Sequence, residues 1–170
     1  MKSLIIAIVG KSGSGKTELT KAIEVYLGIQ SLVSYTTRPK RDNEVDGIDH
    51  FFVTDDDVPD RENMLAYTLY GGYHYWVSMN QLKEGLIYTY VINEDALVEM
   101  IDKFGDVYDF AKVYIDRYNI DVSGERTIRD VGRTELDKSF YDCVIINDGT
   151  FYDFIKKSLR CICKIIKNRI

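Results

Sequence analysis

The chain of 170 residues is poor in the features that mark special protein classes. Two prolines, 45% apolar and 29% charged residues give no low-complexity or disordered segment, only ordinary globular composition. The three cysteines, Cys143, Cys161 and Cys163, form no disulfide framework. Cys161 and Cys163 are two apart and face different ways on a helix, so reduced intracellular thiols are expected. There are two histidines, and His74 has no Cys, Asp or Glu cluster at metal-ligand spacing, which excludes a zinc site. No apolar run approaches membrane-spanning length. The run Leu4–Val9 is short, lacks a small-residue cleavage pattern and is followed by Lys11 and Lys16. It therefore reads as a buried strand rather than an export signal. Positive charge is also in deficit: the formal net charge is -5, which leaves no general surface for nucleic acid. The expectation is a cytoplasmic protein with no membrane or nucleic-acid partner, a monomer or homodimer, whose anion sites are local.

What is present alternates between two periods. Residues 3–9 form a continuous β-branched run, as in a strand buried on both faces. Residues 17–28 carry Leu19, Ala22, Ile23 and Tyr26 at helical spacing, and Gly28 stops them. Further strands are expected at 31–37, 86–93, 110–116 and 143–147, with helices at 78–85, 94–105, 125–140 and 151–170. The aromatic stretch 64–78, broken by Gly71-Gly72, reads as a hairpin. Strands alternating with helices predict an α/β fold, a three-layer sandwich around a parallel sheet. One domain spans 1–170: a core of about 1–34 and 84–170, a β-rich insert of about 35–83, and a short lid of about 116–128.

Gly10-Lys11-Ser12-Gly13-Ser14-Gly15-Lys16-Thr17 fits G-x-x-x-x-G-K-[ST] at every position, between a strand and a helix. Glycines let the backbone curl so that several N–H groups face one phosphate, and the helix adds its positive end. Lys16 reaches the terminal phosphates of a nucleotide, and the Thr17 hydroxyl ligates Mg²⁺. This places the chain among P-loop proteins, with ATP and Mg²⁺ expected, and says nothing of the acceptor.

A second cationic group follows. Arg38 and Arg41 stand in Ser34-Tyr35-Thr36-Thr37-Arg38-Pro39-Lys40-Arg41, ahead of Glu44-Val45-Asp46-Gly47. Forked guanidinium groups neutralise a second phosphate held against the first. This segment, its distance from the phosphate loop, Tyr73-His74-Tyr75 after Gly71-Gly72, an arginine-bearing helix at 126–133 and Val144-Ile145-Ile146-Asn147-Asp148 resemble the guanylate kinase family. The likeness spans nearly the whole chain and is weak over 86–125.

The resemblance implies that Arg38, Arg41 and Tyr75 hold the acceptor phosphate, with His50 at the other tyrosine position. Ser34 matches a serine that contacts guanine, and Asn147 is expected on ATP. The other guanine-reading positions fall at Ala66, Val77 and near Asn93, which have lost most of their polar contacts. Val91 stands where the family carries an aspartate near Mg²⁺, which leaves Thr17 as the named ligand. Arg126, Arg129 and Arg133 share one helical face, and Arg126 and Arg129 are the stronger catalytic candidates. The expected reaction is phosphoryl transfer from ATP to a nucleoside monophosphate, GMP or dGMP favoured. A related kinase for a sugar phosphate such as a ribose bisphosphate, and a non-catalytic binding module, remain open on the sequence.

Overall fold

The computed structural model describes residues 2–118 and 133–169. β1 (Leu4–Gly10) is buried along its whole length and runs through the centre of the molecule. Its alternate side chains serve two cores. Leu4, Ile6 and Ile8 pack with α1 (Lys16–Leu27), while Ile5, Ala7 and Val9 pack on the opposite face.

The chain then leaves for a small sheet built of β2 (Tyr35–Thr36), β3 (Phe51–Phe52), β4 (Met64–Tyr70) and β5 (Tyr73–Ser78). Its order is β3-β2-β5-β4, and β4 and β5 form the expected hairpin around Gly71-Gly72. Trp76 is buried and stacks on Tyr35, holding β2 against β5. The chain returns through β6 (Ile87–Val91), α2 (Glu94–Phe104), β7 (Asp109–Asp116), β8 (Cys143–Ile146) and α3 (Phe151–Arg169). The main sheet, ordered β6-β1-β7-β8, is parallel throughout. α1 and α3 cover one face. α2 and the base of the hairpin, through Leu65, Ala66 and Val77, cover the other. The α/β sandwich with a parallel sheet and a β-rich insert is thus the observed architecture.

Several elements differ from the sequence expectation. The strand expected over 31–37 is divided. Gln30 and Leu32 bond to Thr89 on β6, whereas Tyr35 and Thr36 belong to the insert sheet. Between them the Gln81 side chain takes both the N–H and the carbonyl of Val33, which ends main-chain pairing there. The helix expected over 78–85 is a single 3-10 turn, Met79–Gln81. Of the helix expected over 125–140, residues 125–132 lie outside the described residues. Arg133 to Asp137 is irregular, and Lys138–Phe140 is a 3-10 turn begun by the Asp137 carboxylate accepting from Ser139 N. The expectation of three free thiols is also corrected. Packing of α3 against β8 brings Cys143 and Cys161 into a disulfide, and Cys163 is a free, exposed cysteine. No described helix is long and apolar enough to cross a membrane.

α2 carries the Asn93–Asp95 corner that lines the site, and Leu97 is its fully buried anchor. Leu97→Ala is expected to lower unfolding free energy by about 2–5 kcal/mol, as for other large-to-small core changes. Urea denaturation followed by circular dichroism measures this; a shift below about 1 kcal/mol would show that α2 docks by other means.

Candidate active site

β1 ends at Gly10 and α1 begins at Lys16, so the intervening loop lies where the central strand delivers the chain to a helix N-terminus. Two of its glycines are required by space. A Cβ at Gly10 would stand 2.6 Å from Ile115 O and 2.7 Å from Ser14 Oγ. At Gly15, with φ 107°, a Cβ would meet Asn147 Nδ2 and the Phe154 ring at 3.0 Å. The loop is pinned from outside. Asn147 Nδ2 donates to Ser14 O at 2.8 Å, and Arg117 donates to Gly13 O at 3.0 Å. Lys16 Nζ curls over the loop, donating to Gly10 O at 2.7 Å and Lys11 O at 2.8 Å. Ser14 Oγ is buried with no hydrogen-bond partner among the described residues. Lys11 pairs with Glu135 at 3.0 Å, and Thr17 sits exposed in the first turn of α1.

The second cationic group comes from the insert. Arg38 is held in a two-pronged ion pair by Glu44, with Nη1–Oε2 3.0 Å and Nη2–Oε1 2.8 Å. The pair is largely enclosed: Arg38 is 10% exposed and Glu44 14%. Glu44 also accepts from Arg41 N at 2.9 Å, so one carboxylate sets the relation of both arginines. The Arg38 hydrogen bonds hold the Glu44 carboxyl down to about 2. Burial works against the charge on Arg38, but its hydrogen bonds to Glu44 and Tyr75, with the Glu44 charge, outweigh it and raise its pKa. His50 is half-buried and lies edge-on to Tyr75 and Phe52, with ring centroids 5.8 Å apart in each case. Burial first, and then the Arg38 charge, lower its pKa, so it is neutral at pH 7. Arg38 Nε and His50 Nδ1 are both buried without partners among the described residues.

One cavity of about 510 Å³ joins the two groups. Of the residues expected from sequence, Gly10, Ser12, Lys16, Ser34, Arg38, Arg41, His50 and Tyr75 line it together. Asn147 lies behind the phosphate loop as a brace rather than on the cavity wall. Arg126 and Arg129 lie outside the described residues. Ala66 and Val77 face each other across the hairpin and are sealed in the core. Asn93 lines the cavity, but its Oδ1 caps α2 through Ala96 N and its Nδ2 reaches Thr68 Oγ1. The polar groups at this end are Ser34 Oγ and Tyr90 OH, 3.4 Å apart, and Thr68. Burial pushes the Tyr90 phenol up to about 12, so it is a neutral donor there.

Sequence reasoning missed three contributors. Glu44 was visible in the motif but given no role. Glu94 was given no role beyond opening a helix at 94–105, yet the residue is 2% exposed and lines the cavity. Arg133 was placed behind Arg126 and Arg129, yet it lines the cavity, with Nε on Glu94 Oε2 at 2.6 Å and Nη1 on Gly10 O at 2.7 Å.

A phosphate loop at the end of a parallel sheet, facing an arginine clamp across one cavity, defines a P-loop phosphotransferase. Known proteins agree. The family model for guanylate kinase matches residues 1–86. The guanylate kinase of Sulfurimonas denitrificans is 29% identical, covering 85% of this chain and 80% of that protein. That of Helicobacter hepaticus is 30% identical, covering 75% and 66%. The Thermotoga maritima enzyme is 45% identical over a shorter stretch, 34% of this chain and 28% of that protein. In fold, the solved guanylate kinase of Anaplasma phagocytophilum aligns with a TM-score of 0.67 over 98% of this chain and 86% of its own, at 19% identity. The chain belongs to the guanylate kinase family. It is thereby a nucleoside monophosphate kinase in class, a nucleotide- and ATP-binding transferase.

Proposed function

We propose that the protein transfers the γ-phosphoryl group of ATP to GMP or dGMP, giving ADP and the diphosphate. The observation that carries this is that one cavity joins the phosphate loop, through Gly10, Ser12 and Lys16, to the clamp of Arg38, Arg41, His50 and Tyr75. In the clamp, Arg38 Nε and His50 Nδ1 are buried without a partner among the described residues. Loop and clamp both suit oxyanions, and two phosphates brought together there are the reactants of a phosphoryl transfer.

The roles follow from position. The loop from Gly10 to Thr17, including Lys11, Ser12 and Gly13, cradles the ATP phosphates, and Asn147 braces it. Lys16 exchanges its carbonyl contacts for the β- and γ-phosphates. Arg38, Arg41 and Tyr75 hold the acceptor phosphate, and neutral His50 donates one hydrogen bond to it. The acceptor oxygen attacks phosphorus in line, and the bond to the β–γ bridging oxygen breaks. A phosphate oxygen is already an anionic nucleophile, so no general base is required. Arg126 and Arg129, in the lid, stabilise the spreading charge. The insert of about 35–83 is the acceptor-binding unit.

Mg²⁺ fits this donor set. Among the described residues no cluster of three His, Cys, Asp or Glu side chains forms a protein cage. Mg²⁺ beside nucleotides takes most of its ligands from phosphates and water, and Thr17 at the loop end supplies the protein oxygen. When bound it would neutralise part of the phosphate charge.

At the base end we place Ser34, Tyr90, Thr68 and Asn93, whose side chain is already engaged by Ala96 N and Thr68, and Ala66 and Val77 offer no polar group. A site that hydrogen-bonds fewer edges discriminates less. Turnover with GMP is therefore expected to exceed that with AMP by a modest ratio, about 10- to 100-fold in kcat/KM. ADP release with Mg-ATP and a panel of monophosphates and sugar phosphates tests both statements. Turnover only with a sugar phosphate, or with no acceptor, would overturn the assignment.

A further inference from the structure

Glu94 is a buried carboxylate at the mouth of a cavity that must receive several negative charges. Its position is set by α2, whose first residue it is, directly after the Asn93 cap. Arg133, which lines the same cavity, meets it. Nε donates to Glu94 Oε2 at 2.6 Å, and the side chains on both sides of this contact are enclosed. The same guanidinium reaches the phosphate loop through Nη1, which donates to Gly10 O at 2.7 Å. Gly10 O also accepts from Lys16 Nζ at 2.7 Å. Two cations therefore converge on one carbonyl oxygen, within twice a hydrogen-bond length of each other.

We propose that Glu94 is a positioning residue that aims Arg133 at the transferring phosphoryl group, beside Lys16; this rests on the kinase reading above. The guanidinium is planar and rigid, so fixing Nε on a buried carboxylate fixes the direction of both terminal nitrogens. An arginine held this way loses little freedom on meeting a phosphate, which is what preorganised charge stabilisation requires. Glu94 keeps Nε, and Arg133 exchanges Gly10 O for a phosphate oxygen as Lys16 does. A purely structural role suits the geometry less well. Buried ion pairs contribute little net stability compared with apolar packing, and this pair lines the cavity instead of lying in the core.

The test is a double-mutant cycle on the full-length protein, with ADP release from ATP and GMP measured across a Mg²⁺ titration up to saturation, and melting temperature as a check of folding. Arg133→Ala is expected to lower kcat about 100-fold, with both KM values within about threefold of wild type. Glu94→Gln is expected to lower kcat about tenfold, because the arginine remains but is no longer aimed. The double variant is expected to be no slower than Arg133→Ala alone. Losses that multiply in the double variant would overturn the assignment, as would an unchanged kcat in Arg133→Ala. A raised Mg²⁺ requirement in Glu94→Gln with unchanged kcat would also overturn it, since that marks a metal-side carboxylate. Absence of wild-type turnover with any monophosphate overturns the kinase reading and this assignment with it, whereas multiplicative losses in an active enzyme overturn this assignment alone.

Discussion

Lys16→Ala is expected to lower kcat by about a thousandfold, the scale seen when a single preorganised donor to transition-state charge is removed. The effect is large because the ammonium stands inside the loop, with Gly10 O and Lys11 O as its partners. On the proposed roles, those carbonyls hold it where the terminal phosphates would bind, so little reorganisation would separate the resting contact from the productive one. The fold is expected to survive. Lys16 opens α1, alanine is favoured in helices, and Asn147 and Arg117 continue to pin Ser14 O and Gly13 O. Lys16→Arg should not restore the rate, because a longer forked group does not fit a site formed for a point charge. Steady-state ADP release, with a melting curve beside it, measures this. A loss smaller than about tenfold would place Lys16 away from the reacting phosphates.

The features legible in the sequence are those whose function is local. The loop from Gly10 to Thr17 works through its own backbone, so its eight residues carry both the geometry and the chemistry. Arg38 and Arg41 likewise share one loop, and the hairpin around Gly71-Gly72 is a short-range pairing. Residues that act through distant partners were not legible. Glu94 looks like any acid opposing a helix dipole until Arg133, far along the chain, folds back onto it. Arg133 shows helical spacing with Arg126 and Arg129, which lie outside the described residues, and the chain from 133 to 137 is irregular. Cys143 and Cys161 meet only because α3 lies on β8. The strand expected at 31–37 is divided by Gln81, a side chain from another turn that takes up the Val33 backbone. Ala66 and Val77 were legible as lost hydrogen-bonding positions, but their place in the core depends on the hairpin packing against β6 and α2.

Arg38→Ala is expected to raise the acceptor KM by about 100-fold or more while the ATP KM stays within about threefold. Two effects add in this variant. The acceptor phosphate loses a forked donor, and Glu44 keeps a carboxylate enclosed at 14% exposure without its partner. The second effect is separable. Glu44→Gln retains a hydrogen-bonding shape but no charge, so Arg38 remains while its aim loosens, and an acceptor KM raised about tenfold is expected. In the double variant Arg38→Ala/Glu44→Gln no buried charge is stranded. Its melting temperature should recover above that of Arg38→Ala while its acceptor KM stays high. The pH dependence has a definite sign. Glu44 is held down to about 2 in the folded protein against an ordinary value of 4.5. Its contribution to stability is therefore fully present above pH 4.5 and is lost as pH falls towards 2. Between pH 7 and 8 the pair stays ionised and the acceptor phosphate, with its second ionisation at about pH 6, is almost wholly dianionic, so the wild-type advantage over Arg38→Ala in acceptor binding should hold nearly constant there. Equal rises in both KM values, or an acceptor KM restored in the double variant, would show that Arg38 serves the ion pair alone and leaves the acceptor phosphate to other residues.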